Sequence, residues 1–387
     1  MSVIVVDNDL KDSINEYGQI LDSVNEKAEL AEKFQSFFNE NNELTKREEL
    51  VKAIHNNSQP EVLTKLPDKE FEPAFNLLIY IILQLEKSLG TAIIDDVVKC
   101  NPAVQPSLRD RKSVKTSSIL SILSNAFNLV PETSPIRIYI LKQILNLVEN
   151  SSLSFSLIQT SIGDNIVTWL EKANAPPEEI KFLFWKFITL DEDFSLKSLE
   201  LIKTFTSHYR LINLDQLIRF ALSSEIVDVS FLVNNNVANA IRENKDNELV
   251  VIFNSYIKGE LISSVPSDLP KDLIISKSRI LALAKFFVDN ENKHVFSYKD
   301  IPLTDSPEEF EKLIINSIKA GIIEGKLNQV EQSFYLTRVS RLIIAGEDNS
   351  KDWDALRQVL VNWKNSITNI DSIVNTSREN IVNNNNN

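Results

Sequence analysis

Apolar residues recur at steps of three and four in segment after segment of this chain, and that rhythm predicts helices over most of its length. Between about residues 45 and 265, apolar segments alternate with short polar or proline-marked turns. The clearest are centred on Phe75 to Leu85, Ser118 to Leu129, Ile136 to Val148, Ile180 to Leu190, Leu196 to Phe205 and Leu214 to Leu222. No fixed-period repeat accompanies them. A helix with one apolar face buries it by stacking on its neighbours, so the pattern predicts an irregular α-solenoid that needs a cap.

Two stretches keep a stricter rhythm. Leu10, Ile14, Tyr17, Leu21, Val24, Ala28, Ala31 and Phe38 alternate steps of four and three with Gln35 as a polar break, which predicts one long N-terminal helix within residues 1–44. Trp353, Leu356, Leu360, Trp363, Ile367, Ile370 and Val374 form a second heptad seam. An amphipathic helix of that length, too apolar on one side to stand alone in water, is expected over 346–376. The tail, 377–387, ends in five asparagines and reads as disordered, because it offers little apolar surface to offset the entropy of ordering.

Between solenoid and seam the pattern changes character. A helical run from Lys277 to Val288 precedes an extended stretch, His294 to Tyr298. Ser306-Pro307-Glu308-Glu309 then opens a helix with a capping serine and proline at the first helical position, and Gly321 closes it. Ile322 to Leu327 and Phe334 to Val339 read as two strands joined by a polar loop. Helices followed by a two-stranded wing are the winged-helix order, with Ile280, Leu281, Phe310, Leu313, Ile314 and Ile318 as its expected core. The fold class is therefore mainly α: helical repeats over 45–205, the last repeats plus the winged helix (from about 272) over 206–345, then the long C-terminal helix.

Composition sharpens this reading. Seven glycines in 387 residues disfavour glycine-rich β-turn architectures, and 43% hydrophobic residues suffice for a sizeable core. The net charge of −13 disfavours a general nucleic-acid role. On the exposed side of the candidate recognition helix Glu308, Glu309 and Glu311 outweigh Lys312 and Lys319, so docking of protein is expected there and DNA binding is not. The one basic cluster, Arg109-Asp110-Arg111-Lys112 with Lys115, is interrupted by an aspartate and is expected to be a solvated face. A single cysteine, Cys100, excludes a disulfide framework within the chain. Neither a signal-peptide pattern nor a membrane-length apolar run is present, so a soluble cytoplasmic protein with no membrane partner is expected.

Candidate chemistry is sparse. His55, His208 and His294 lie far apart in sequence and match no zinc pattern. Cys100 has no second thiol nearby. Gly321 to Leu327 superficially resembles a phosphate loop but is one residue short between its glycines, with Leu327 where a hydroxyl would meet magnesium. Asp95-Asp96 and Glu178-Glu179 suit helix starts or polar faces. No catalytic, metal or cofactor residue is assigned.

Three stretches resemble a known family. Leu123-Ser124-Asn125-Ala126-Phe127-Asn128 with Pro131 and Ser134-Pro135-Ile136-Arg137 is similar to a solenoid segment of the M-subunit family of eukaryotic translation initiation factor 3, within the PCI-domain proteins. Lys277 to Leu283 resembles the first winged-helix helix of that family. Trp353, Leu356, Leu360, Trp363 and Lys364 resemble its C-terminal helix, although Ser366 stands where the family has an asparagine. The resemblance implies a non-enzymatic scaffold subunit of the factor, assembled with other PCI subunits and the MPN-type subunits F and H, and acting on the small ribosomal subunit through the complex. It also implies that Trp353, Leu356, Leu360, Trp363, Ile367 and Ile370 meet a helical bundle of other subunits. The same resemblance allows a PCI scaffold subunit of the signalosome, which acts in cullin deneddylation.

Overall fold

This computed structural model describes residues 9–384 except 26–28, 40–43, 87–88, 105, 108–109, 111, 211, 291–292, 305, 343 and 345–349. Among them are eighteen α-helices and three strands, a mainly α fold with one small sheet and a long C-terminal helix. The chain divides into two compact units, Met1–Asp193 and Phe194–Asn387. The division expected at 205/206 falls inside a helix, Leu196–His208.

The first unit begins with α1 (Leu10–Asn25) and α2 (Leu30–Gln35), where one long helix is expected from the heptad rhythm. The correction has a local cause. The Asp22 carboxylate accepts backbone N–H bonds from Leu30 and Ala31 at 2.9 and 3.0 Å, so the first helix caps the start of the second and the two pair face to face. Gly18 permits the close approach, since a Cβ there would lie 2.7 Å from Ala31 Cα. Ala28 lies outside the described residues. Tyr17, fully buried, donates to Ser58 Oγ at 2.7 Å, while Ser58 donates to the Ile54 carbonyl.

The following helices are α3 (Arg47–Asn57), α4 (Pro60–Leu63), α5 (Asp68–Glu86), α6 (Thr91–Lys99), α7 (Thr116–Leu129), α8 (Ile136–Glu149), α9 (Ser156–Gly163), α10 (Ile166–Lys172) and α11 (Pro177–Thr189). They stack largely in chain order, α5 on α7, α7 on α8 and α8 on α11. Each of the four contributes several fully buried aliphatic or aromatic residues, such as Ile79, Ile122, Leu145 and Phe187. At about 1.5–3 kcal/mol gross for each large apolar side chain buried, this stacking is what a helix with one apolar face gains by having a neighbour. A polar contact fixes the α5/α7 register: Asp68 Oδ1 accepts from the Lys115 backbone N–H and the Ser118 hydroxyl at 2.9 and 2.8 Å.

The second unit carries α12 (Leu196–His208), α13 (Leu214–Ser223), α14 (Asn235–Glu243) and α15 (Glu248–Ile257). Ser195, Asn213, Asn234 and Asn247 cap these four helices with their side chains. After α16 (Lys271–Asp289) come β1 (Val295–Ser297), α17 (Pro307–Lys319), β2 (Ile323–Asn328), β3 (Ser333–Val339) and α18 (Ser350–Asn384). The sheet is antiparallel in the order β1-β3-β2, so the extended stretch before α17 joins the wing as a third strand. Helix α18 continues through the segment expected to be disordered from 377, up to Asn384. No glycine or proline interrupts that stretch, and each added residue extends the hydrogen-bond ladder already nucleated by the seam. No described helix is long and apolar enough to cross a membrane.

Candidate interaction surface

The winged module is built around aromatic packing between α16, α17 and the sheet. Phe287 of α16 lies 4.8 Å from Phe296 and 5.6 Å from Phe334 between ring centroids, and Tyr298 lies 4.4 Å from Phe310 of α17. Ile280, Leu281, Phe310, Leu313 and Ile314 are all buried. Ile318 is not: it is 37% exposed, whereas Ser317 takes the inward place and returns its hydroxyl to the Leu313 carbonyl at 2.7 Å. The step of about 100° per residue carries Ile318 past the packed face as the helix ends. Gly321 follows in the left-handed region at φ +72°, and Ile322 N–H reaches the Ser317 carbonyl at 3.1 Å, a glycine-closed helix end.

Polar groups fix this module in ways the sequence pattern does not reveal. Lys277 is 2% exposed, and its ammonium donates to the carbonyls of Ala221, Leu222 and Ser224 at 3.2, 3.3 and 2.7 Å, closing the end of α13. A cation there is favoured by the helix dipole. It also sits 5.3 Å above the Tyr256 ring. Burial pushes its pKa down to about 7. Arg279, two residues on and so on roughly the opposite side of the helix, donates to the Leu303 carbonyl and the Glu309 carboxylate at 2.8 and 2.6 Å. Tyr298 donates to Glu311 at 3.1 Å, and burial first, then Glu311, pushes its pKa up to about 12.

These contacts engage Glu309 and Glu311, two of the three glutamates expected on the exposed side of α17. What α17 presents to solvent is Pro307, Glu308, Lys312, Ile315, Asn316, Ile318 and Lys319, a mixed face that includes two isoleucines. Arg338 on the wing pairs with Glu324 at 2.7 Å. In the sequence-level basic cluster, the Asp110 carboxylate accepts from the Lys112 and Ser113 backbone and the Ser113 hydroxyl, and Lys115 lies 3.4 Å from Asp68. Arg109 and Arg111 lie outside the described residues. Cys100 is buried with its thiol 3.2 Å from the Asp96 carbonyl, and burial, then Asp96, pushes its pKa up to about 12. Among the described residues, no three His, Cys, Asp or Glu side chains converge on one point.

Helix α18 has the opposite character. Along its 35 residues Trp353, Leu356, Leu360, Trp363, Ile367 and Ile370 are 47–65% exposed, as are Val359 at 62% and Ile373 at 65%. At about 1.5 Å per residue the helix is roughly 52 Å long, and its stripe is exposed along the described residues.

Over most of its length the chain is similar to subunit M of eukaryotic translation initiation factor 3. The proteins of that name from Coccidioides immitis and Aspergillus terreus are each 23% identical to it, covering 88% and 87% of this chain and 76% and 77% of their own. The one from Emericella nidulans is 24% identical over 87% of this chain and 79% of its own. No family model matches the chain.

The three stretches that carry the sequence resemblance occupy distinct places. Leu123 to Asn128 lies on α7, where Leu123, Asn125, Ala126 and Phe127 are buried, and Arg137 stacks over the Phe127 ring at 4.6 Å while donating to the Val130 carbonyl. Lys277 to Leu283 lies on α16, with Lys277 and Arg279 as its anchors. The third stretch is exposed on α18.

Proposed function

We propose that this chain is a non-enzymatic scaffold subunit of the cytoplasmic translation initiation factor 3 complex, held in it by the seam of α18. The observation that carries the proposal is the uncovered heptad stripe of α18, in a chain similar to subunit M over most of its length. The proposed partners are other PCI subunits and the MPN-type subunits F and H, with the small ribosomal subunit reached through the complex. Trp353, Leu356, Leu360, Trp363, Ile367 and Ile370 form the interface, and the module of α16, α17 and the wing is a PCI-type docking block with a packed core of its own.

The test is to tag the chain in its own cells, purify it, and identify stoichiometric companions by mass spectrometry. Recovery of initiation factor 3 subunits from wild type, and their loss from a Trp353→Ala, Trp363→Ala variant that keeps its circular dichroism, is the expected result. Recovery of signalosome subunits, or full incorporation of the variant, would overturn it.

A further inference from the structure

We infer that the α18 seam is specified for a partner helix with an acidic edge and against a second copy of itself, an inference that rests on the bundle reading above. Setting Trp353 at heptad position a places Leu360, Ile367 and Val374 at a as well, with Leu356, Trp363 and Ile370 at d. Val359 and Ile373 fall at g and widen the stripe on that side; Ser366 is the third g residue. The other border differs in kind. Position e reads Arg357, Lys364, Asp371, Arg378, so every cation between 353 and 378 lies on that one line.

Those e residues are exposed, with the Arg357 side chain at 82%. Arg357 makes a loose contact with Asp354, at 3.9 Å. The outer positions across the same span are Gln, Asn, Ser and Thr apart from Asp354, Ala355 and Val361. The cations therefore mark a border of the apolar stripe and do not merely solubilise the helix. Residues at e and g set partner choice in helical bundles because they meet across the seam.

Self-pairing is poorly served by this layout. In an antiparallel pair e faces e, setting Arg357, Lys364 and Arg378 against the same cations with only Asp371 in relief. In a parallel pair e faces g, where Val359, Ser366 and Ile373 offer no anion. Both arrangements penalise a copy of this chain. A helix with Asp or Glu at heptad spacing, about 10 Å apart, would pair with three of the four e residues while its apolar positions enter the seam.

The test uses the full chain and two synthetic amphipathic helices of about four heptads with the same Leu and Ile core, one edged with Glu and one with Lys. The Glu-edged helix should bind about tenfold or more tightly than the Lys-edged one at low salt, given several like or unlike pairs in series. Arg357→Glu, Lys364→Glu, Arg378→Glu together should invert that preference, while Trp353→Ala, Trp363→Ala should abolish binding of both. Sedimentation should find the wild-type chain monomeric. Equal binding of the two helices, or a dimer that the tryptophan variant dissolves, would overturn the charge inference and leave the bundle reading standing. If neither helix binds and the tryptophan variant still enters its complex, both fail.

Discussion

Helices α17 and α18 belong to the same unit and carry apolar residues at the same three-and-four spacing, yet one is packed and the other bare. On α17 Phe310, Leu313 and Ile314 are at most 8% exposed, while on α18 Trp363 is 65% exposed. The difference is supply. The short α17 has α16 on one side and the wing on another. The stripe of the 35-residue α18 has no such neighbour among the described residues of its unit and stays exposed. An amphipathic pattern therefore states that a face is to be buried and leaves open whose surface buries it.

The largest effect should come from removing the Phe310 ring, which packs on Tyr298 inside the module. Phe310→Ala is expected to cost about 3–5 kcal/mol in urea denaturation; an unchanged midpoint would mean that the α17 core is not what holds the module together. Next, Trp353→Ala with Trp363→Ala should weaken assembly with partner subunits by on the order of 100-fold, since each indole contributes about 1.5–3 kcal/mol gross before ordering costs. The same variant should change the stability of the isolated chain by less than about 0.5 kcal/mol. A large loss of stability would erase the contrast between the two helices.

Lys277 gives a pH signature of the packed region. Its pKa falls from 10.5 to about 7 on folding because of burial, so between those values the unfolded chain binds the extra proton and stability rises with pH. The contribution is complete above about 10.5 and lost as pH falls through about 7. Lys277→Met should abolish that rise, so wild type should gain on the variant between pH 7 and pH 9 in paired denaturation curves, by on the order of 1–3 kcal/mol. Parallel curves would place the ammonium in contact with water. The smallest effect is at the end of α17: Gly321→Ala forces a Cβ into the left-handed region and should cost about 1 kcal/mol, read as a small shift in thermal midpoint.

Much of the helical part was legible because a helix that stacks on neighbours must repeat apolar residues at its own period, and α5, α7, α8, α11, α12 and α13 do so. The capping serine and proline of α17 and the glycine beyond it marked both ends of that helix by purely local chemistry. The same rhythm hides the break in the N-terminal region: α1 and α2 share one spacing, and what sets them face to face is Asp22, whose carboxylate binds backbone groups eight and nine residues away. Ile318 shows the same limit at the scale of one residue, since periodicity gives a face with a width and the packing of Ser317 decides where it ends.

By itself, then, the sequence determined the helix periods, the winged-module order, the heptad seam and the line of cations beside it, all of which depend on residues within a few turns of each other. Only the tertiary structure decided that Lys277 closes the end of a helix more than fifty residues earlier in the chain, that Glu309 and Glu311 are tied to Arg279 and Tyr298, and that the α18 stripe finds no cover at home. Those are contests between distant groups for burial and hydrogen bonds, and no local spacing records which partner wins.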